Sequence, residues 1–244
     1  MFDFLFKKKA PEKLFYKTDV HAHFLPGIDD GAKNTERSVL LLEGLTKLGL
    51  TNFVATPHIT HEVFPNNKET ISAAYQRLMD ELKNSDINPV IAFSAEYRID
   101  ENFQKHKEAG VLIPFPKNYL LIENSFIQPF MGIKELVFEL QLKGFKPILA
   151  HPERYAYYHN DKYQYENLHA QGCLFQVNLL SFSGYYGKEI RDVSFWLLDK
   201  GFVDFIGTDV HHPDHIEMIN KFLKSKEYRK LAAKAKILND TLFE

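Results

Sequence analysis

The sequence predicts an α/β protein folded as one closed parallel barrel of seven βα units. Three observations carry this. Short β-rich runs alternate with segments of helical period along the 244-residue chain, and strict βα alternation favours parallel strands with right-handed crossovers. The strand-like runs are continuously apolar, the mark of strands covered on both faces. Nearly every run also ends in a histidine, aspartate or glutamate. A closed barrel gathers all strand ends at one mouth, whereas a doubly wound sheet brings only a few loops to its switch point. Seven strands in place of eight make this a distorted relative of the TIM barrel. No linker, repeat or low-complexity tract marks a second domain, so residues 1–15 read as a tail or short packed segment and residues 16–244 as the barrel.

In chain order, a first strand at 16–20 leads into His21-Ala-His23. Asn34 is placed as an N-cap, with Leu41, Leu45 and Leu48 on one face and Gly49 as the stop. A second strand, 52–56, runs into Thr56-Pro-His58, and Ile71, Ala74, Tyr75, Leu78 and Leu82 then keep the spacing of an amphipathic helix. Strands at 89–95 and 119–123 end at Glu96 and Glu123. Ile133, Leu136, Val137 and Leu140 form the next helical face, ending at Gly144, and the strand at 146–150 runs into His151. A strand at 174–178 precedes the helix of Ile190, Val193 and Leu197, which stops at Gly201. The last strand, 203–207, leads to Asp209-Val-His211, and from about Ile216 the tail reads as helical to its Leu242-Phe-Glu244 end.

Composition narrows the function. The net charge is −2 and the pI about 6.6, which argues against nucleic acid as a partner, since phosphate-backbone binding requires a basic surface. The single cysteine, Cys173, sits in the apolar run Cys173-Leu-Phe-Gln-Val177 and reads as a buried structural thiol. No internal disulfide framework is possible, which fits a reducing cytosol. No apolar stretch approaches the roughly 20 residues that span a bilayer. At the N-terminus the basic residues Lys7 to Lys9 come after the apolar Phe2, Phe4, Leu5 and Phe6, the reverse of a secretory signal. That segment reads as a packed tail, or as a weak dock at the inner face of a membrane.

Nine side chains share the strand-end context: His21, His23, His58, His151 and His211, with Asp30, Glu96, Glu123 and Asp209. Imidazoles and carboxylates collected at one rim hold divalent metal ions. In an extended segment residues i and i+2 point the same way, so His21 and His23 can grip one ion, and Asp209 and His211 repeat the spacing. A carboxylate such as Glu96 or Glu123 can bridge two ions. From spacing alone Asp29 and Asp30 compete for one role, since an Asp-Asp-Gly run is often only a turn.

Asp19-Val-His-Ala-His-Phe-Leu-Pro-Gly-Ile-Asp-Asp-Gly31 resembles the opening motif of the bacterial protein-tyrosine phosphatases of the PHP (polymerase and histidinol phosphatase) superfamily. Ala55-Thr-Pro-His58, Ser94-Ala-Glu96, Leu121-Ile-Glu123, Ala150-His-Pro-Glu-Arg-Tyr155 and Gly207-Thr-Asp-Val-His211 match the later motifs in the same order, over roughly residues 18–212. The pairing of Pro-Gly-Ile-Asp-Asp-Gly with His-Pro-Glu-Arg-Tyr points to the capsule and exopolysaccharide branch. The resemblance implies a distorted (β/α)7 barrel with three divalent ions, manganese being expected and iron or zinc the other candidates. It implies that His21, His23, Glu96 and Asp209 hold one ion; Glu96, Glu123 and His151 a second; and Asp30, His58 and His211 the third. Arg154 matches an arginine that binds substrate phosphate. Relatives tend to carry another arginine shortly after the last Asp-x-His motif, whereas this chain reads His211-His-Pro-Asp-His215, so that either His212 or His215 makes that contact or the contact is absent. The implied substrate is a phosphotyrosine protein, with a bacterial tyrosine kinase of polysaccharide export as partner.

Three ions against four carboxylates leave about +2, a charge that attracts a phosphate dianion. Two ions sharing Glu96 would lower the pKa of a bridging water, and the resulting hydroxide would attack phosphorus in line while Arg154 neutralises the equatorial oxygens. His61 is a candidate proton source for the leaving group. No Cys-x5-Arg occurs, so the cysteine nucleophile of other tyrosine phosphatases is missing. Tyr155, Tyr157, Tyr158, Tyr163 and Tyr165 read either as packing or as an aromatic wall for the substrate ring. The competing functions are a histidinol-phosphate or other small-molecule phosphoesterase, a metal amidohydrolase, and a non-catalytic metal-stabilised scaffold.

Overall fold

A computed structural model describes residues 13–244. The Phe2 to Lys9 stretch, expected as a packed tail or a membrane dock, lies outside the described residues. Among those residues nine strands form, all paired in parallel. They are β1 (Thr18–Ala22), β2 (Asn52–Ala55), β3 (His58–Ile59), β4 (Val90–Phe93), β5 (Glu96–Arg98), β6 (Tyr119–Glu123), β7 (Lys146–Ala150), β8 (Leu174–Asn178) and β9 (Phe205–Gly207). Two sheets result, ordered β1-β2-β4 and β3-β5-β6-β7-β8-β9.

Nine strands are still seven tracts. Pro57 has no N–H to give to a ladder, so the second tract breaks into β2 and β3, and Ser94 and Ala95 split the third into β4 and β5. Hydrogen bonds run on across the break: Ser94 N–H donates to Ala55 O at 2.9 Å and Glu96 N–H to Pro57 O at 3.0 Å. His58 thereby stands in register with Glu96. The ring closes between last and first strands, where Asp209 N–H donates to His21 O at 2.8 Å and His23 N–H to Val210 O at 3.0 Å. Buried Asp19 fastens the same seam, taking Thr208 N–H at 3.0 Å and its hydroxyl at 2.5 Å.

The helices are α1 (Thr35–Lys47), α2 (Lys68–Leu82), α3 (Glu101–Ala109), α4 (Ile133–Leu142), α5 (Tyr163–Ala170), α6 (Lys188–Lys200), α7 (Pro213–Phe222) and α8 (Lys226–Lys234). Asn34 caps α1, accepting from Arg37 N, and the leucines read as its inner face, Leu41 and Leu45, are buried. The apolar faces of the helices cover the outside of the ring in one continuous core. A second, smaller core fills its interior, where Val20, Val54, Leu121, Ile148, Phe205 and Leu242 meet.

Leu242 comes from the tail, where the expected helix is not continuous. Ser225 caps a fresh helix by accepting from Tyr228 N, and α8 gives way to a 3-10 turn at Asn239–Phe243. That turn stoppers the end of the barrel where the strands begin. Asn239 Nδ2 donates to Thr18 O at 2.8 Å and Ile206 O at 2.7 Å, while its Oδ1 accepts Ile206 N–H at 3.0 Å. The expectation did not include α3 and α5. Each buries only two side chains, Phe103 and Lys107 in α3 and Tyr165 and Leu168 in α5, too few to write a period. No helix among the described residues is long and apolar enough to cross a membrane.

Candidate metal centre

The strand ends opposite the Asn239 stopper bring all nine candidate ligands together. His21 and His23 lie deepest, with no exposed surface. Their Nε2 atoms stand 3.2 Å apart. Glu96 Oε2 lies 3.3 Å from His21 Nε2 and 3.6 Å from His23 Nε2, and Asp209 Oδ1 lies 3.5 and 3.4 Å from the same two atoms. Ligands about 2.1 Å from a tetrahedral ion are separated from one another by about 3.4 Å, so His21, His23 and Glu96 have the spacing of one ion's ligands, with Asp209 beside the same two rings. Glu96 Oε2 is buried without a well-aligned hydrogen bond, although the rings of His21, His23 and His58 place nitrogens 3.3, 3.6 and 2.9 Å from it. A buried carboxylate oxygen at the focus of three ring nitrogens is a position that a cation would satisfy.

The remaining residues surround Glu96. Its Oε1 is 2.9 Å from His151 Nε2, which is 3.6 Å from Glu123 Oε1. On the other side His58 Nδ1 lies 2.9 Å from Glu96 Oε2, while His58 Nε2 is 3.5 Å from Asp30 Oδ1. His211 Nε2 completes that side, 3.3 Å from Asp30 Oδ1. Three groups of donor atoms fall within the span of one ion: His23, Asp30, His58 and His211; His21, His23 and Glu96; and His58, Glu96 and Glu123. Backbone strain accompanies the arrangement. His151 and Asp209 adopt φ of 31° and 51°, a region that non-glycine residues occupy only when the surroundings impose it.

A layer of partners aims these rings. Asp29 Oδ2 accepts from His23 Nδ1 at 2.8 Å, and its Oδ1 from Gly31 N at 3.0 Å. Asp29 is thereby turned inward behind His23, and Asp30 is the neighbour that faces His58 and His211. Gln176 Oε1 lies 2.6 Å from His21 Nδ1, and Asn178 Nδ2 donates to Asp209 Oδ2 at 2.7 Å. Sequence reasoning passed over both, although they sit two apart in β8 as polar residues in an apolar run. It also passed over Glu153, whose buried Oε1 accepts from Asn178 N at 2.9 Å and Ser181 Oγ at 2.6 Å.

Without metal, the charges settle on one another. Burial pulls the His21 imidazole down, but Glu96 and Asp209 outweigh it and hold it up to about 9. Burial opposes the His58 cation too, and Glu96 again prevails, to about 10. Burial lifts Glu123 to about 8, with the charge of Glu96 adding to it. Burial takes His151 the opposite way, to about 4.

The mouth is a cavity of about 210 Å³ in which Arg154, Phe126, Tyr186 and His215 join the ligand candidates. Arg154 donates to Asp209 Oδ2 at 3.2 Å. Its guanidinium is sandwiched 4.8 Å from the Phe126 ring and 4.6 Å from that of Tyr186. His212 lines a neighbouring cavity with Lys33 and Arg37, and the half-exposed His61 lines neither. Most of the tyrosine-rich segment is packing. Tyr155 and Tyr165 are fully buried and Tyr158 nearly so. Tyr155 accepts from Asn124 N–H at 3.0 Å, and Tyr157 donates to Ser125 O at 2.8 Å. Tyr155 and Tyr157 therefore support the loop that carries Phe126, whereas Tyr163 is exposed. Cys173 is buried, far from any role as nucleophile, and burial pushes its thiol up to about 12.

Comparison with known proteins agrees. The family model for capsular polysaccharide synthesis, CpsB/CapC, matches residues 17–237. The tyrosine-protein phosphatase YwqE of Bacillus subtilis is 28% identical over 195 residues, 80% of this chain and 77% of YwqE. CapC of Staphylococcus aureus is 32% identical over 197 residues, 79% of this chain and 76% of CapC. Among solved structures, those of YwqE and of CpsB from Streptococcus pneumoniae, unique metal-dependent tyrosine phosphatases, provide a match with a TM-score of 0.77 and 25% identity, covering 92% of this chain and 94% of the solved one.

Proposed function

The chain belongs to the CpsB/CapC family of capsular polysaccharide synthesis, and from that premise we propose that it is a metal-dependent tyrosine-protein phosphatase. The observation that carries the reading is the buried trio of His21, His23 and Glu96, whose ring nitrogens and carboxylate oxygen keep separations of 3.2 to 3.6 Å, with Asp209 Oδ1 3.5 and 3.4 Å from the same two rings.

In this reading the nine residues hold three divalent ions. His21, His23, Glu96 and Asp209 take one; Glu96, Glu123 and His151 a second; Asp30, His58 and His211 the third. Manganese is the ion we expect, with iron and zinc as the tests against it. Such ions supply Lewis-acid activation of water and neutralise phosphoryl charge. The chain's own part is positional. Arg154 binds the non-bridging phosphoryl oxygens, and Asp209, Phe126 and Tyr186 fix its guanidinium before substrate arrives. His215, which lines the cavity, takes the second phosphate contact in preference to His212. His61 is a proton donor in reach only of a substrate lying across the rim. A phenolate leaves readily, since its conjugate acid has a pKa of about 10, so replacing His61 with alanine is expected to leave the pH–rate profile nearly unchanged. The substrate we assign is a tyrosine kinase of polysaccharide export, met in the cytoplasm at the inner face of the membrane.

The test is hydrolysis of a phosphotyrosine peptide with elemental analysis of the same sample. EDTA abolishes turnover and Cys173→Ser leaves it intact. A chelator-resistant, Cys173-dependent activity overturns the reading. A higher kcat/KM on histidinol phosphate than on the peptide replaces it with the small-molecule phosphoesterase.

A further inference from the structure

Resting on the phosphotyrosine reading, we propose that the loop of residues 124–132 reads the substrate beyond its phosphate. Phe126 receives the aryl ring, and Ile127 and Met131 receive an apolar side chain next to the phosphotyrosine in the peptide.

The loop joins β6 to α4 and starts directly after Glu123. Its base is fixed. Asn124 N–H is held by the Tyr155 hydroxyl at 3.0 Å, Ser125 O by the Tyr157 hydroxyl at 2.8 Å, and Asn124 O by the Arg98 guanidinium at 2.5 Å. Its tip is apolar and open to solvent: Phe126 is 40% exposed, Ile127 89% and Met131 92%. Large apolar side chains held in water by a rigid base forgo a burial term of about 25 cal/mol per Å², and exposed patches of that kind mark binding surfaces.

Position identifies the occupant. Phe126 stacks on His151 with ring centres 5.5 Å apart and planes 17° from parallel, and two guanidinium groups, those of Arg154 and Arg98, flank it at 4.8 and 5.7 Å. The ring also lines the metal cavity. A phosphoryl group bound at Arg154, in the cavity that Phe126 also lines, thus places its ester substituent against Phe126. An aryl ring gains offset or edge contact there; a short alkyl ester does not reach. Ile127 follows Phe126 directly and Met131 lies four residues further along the same loop, both open to solvent. The peptide that carries the aryl ring therefore runs over these two side chains, with an apolar residue beside the phosphotyrosine.

The experiment uses the full-length, metal-loaded protein and three substrates: p-nitrophenyl phosphate, a phosphotyrosine peptide with leucine on both sides, and the same peptide with serine in those places. Wild type is expected to favour the leucine peptide in kcat/KM by about tenfold, the low end of what one small apolar contact provides. The double variant Ile127→Ser/Met131→Ser loses that preference through KM, with kcat retained on both peptides. Phe126→Leu raises KM for p-nitrophenyl phosphate and for both peptides together, leaving the leucine preference in place. Equal kcat/KM on the two peptides in wild type, or a preference that survives the double variant, overturns the inference while the phosphatase reading stands. Absence of turnover on all three substrates by wild type removes that reading, and the inference with it.

Discussion

At the scale of single residues, the centre is built less from its nine candidate ligands than from what turns them. An imidazole binds a cation only through a bare nitrogen, so the atom that holds the opposite nitrogen sets which face is offered. Asp29 does this for His23 and Gln176 for His21. Asp29 also explains why one of two adjacent aspartates faces the candidate metal centre: its oxygens are committed to His23 and Gly31, and Asp30 remains half-exposed beside His58 and His211. Asp29→Ala is therefore expected to weaken metal affinity about 10- to 100-fold while the fold persists. Competition with a chelator, and then metal titration to restore turnover, measures it. An affinity equal to wild type would show that His23 needs no such partner. The ligand candidates were legible in the sequence because their chemistry is rare at strand ends. Asp29, Gln176, Asn178 and Glu153 were not, because a polar side chain that orients another looks the same as one that faces solvent until burial is known.

At the scale of elements, strands were legible where burial on both faces writes an uninterrupted apolar run, and the two breaks at Pro57 and at Ser94–Ala95 were not. Those breaks are what bring His58 and Glu96 into one register at the mouth. Helices α3 and α5 escaped notice for the complementary reason, that each shows the core only two side chains. The 3-10 turn at Asn239–Phe243 escaped too, because its work is done by hydrogen bonds rather than period. Asn239 satisfies three backbone groups belonging to the first and last strands. Asn239→Ala leaves these buried groups without partners and is expected to destabilise the protein by about 3 kcal/mol, a fall in Tm of about 6–12 °C for a domain of this size. The turn lies at the end of the barrel away from the candidate metal centre, so KM for a phosphotyrosine peptide should stay as in wild type. A large KM change would mean that the stopper communicates with the mouth.

At the scale of the whole molecule, one buried cluster couples folding, protons and metal. In the metal-free protein His21 is held up to about 9 and His58 to about 10, against 6.5 when unfolded. Both raised imidazoles contribute stability that is fully present below pH 6.5 and lost as pH rises through those folded values. Glu123 acts in the same direction, since its folded value of about 8 against 4.5 makes ionisation in the fold progressively costly across that interval. The shift of His151 to about 4 acts only on the acid side of 6.5, and there stability rises with pH. The buried tyrosines, raised from 10, have no bearing until more alkaline still. Between pH 7 and 9 the folded metal-free chain therefore binds more protons than the unfolded one, and its Tm should fall steadily. Ligation takes the place of those protons, so saturating divalent metal should flatten the decline and release protons on binding. Thermal melts at pH 7, 8 and 9, with chelator and with metal, decide it. A metal-free Tm that rises over this range would mean that His21 and His58 are neutral in the fold, and that Glu96 faces them as an uncompensated buried charge.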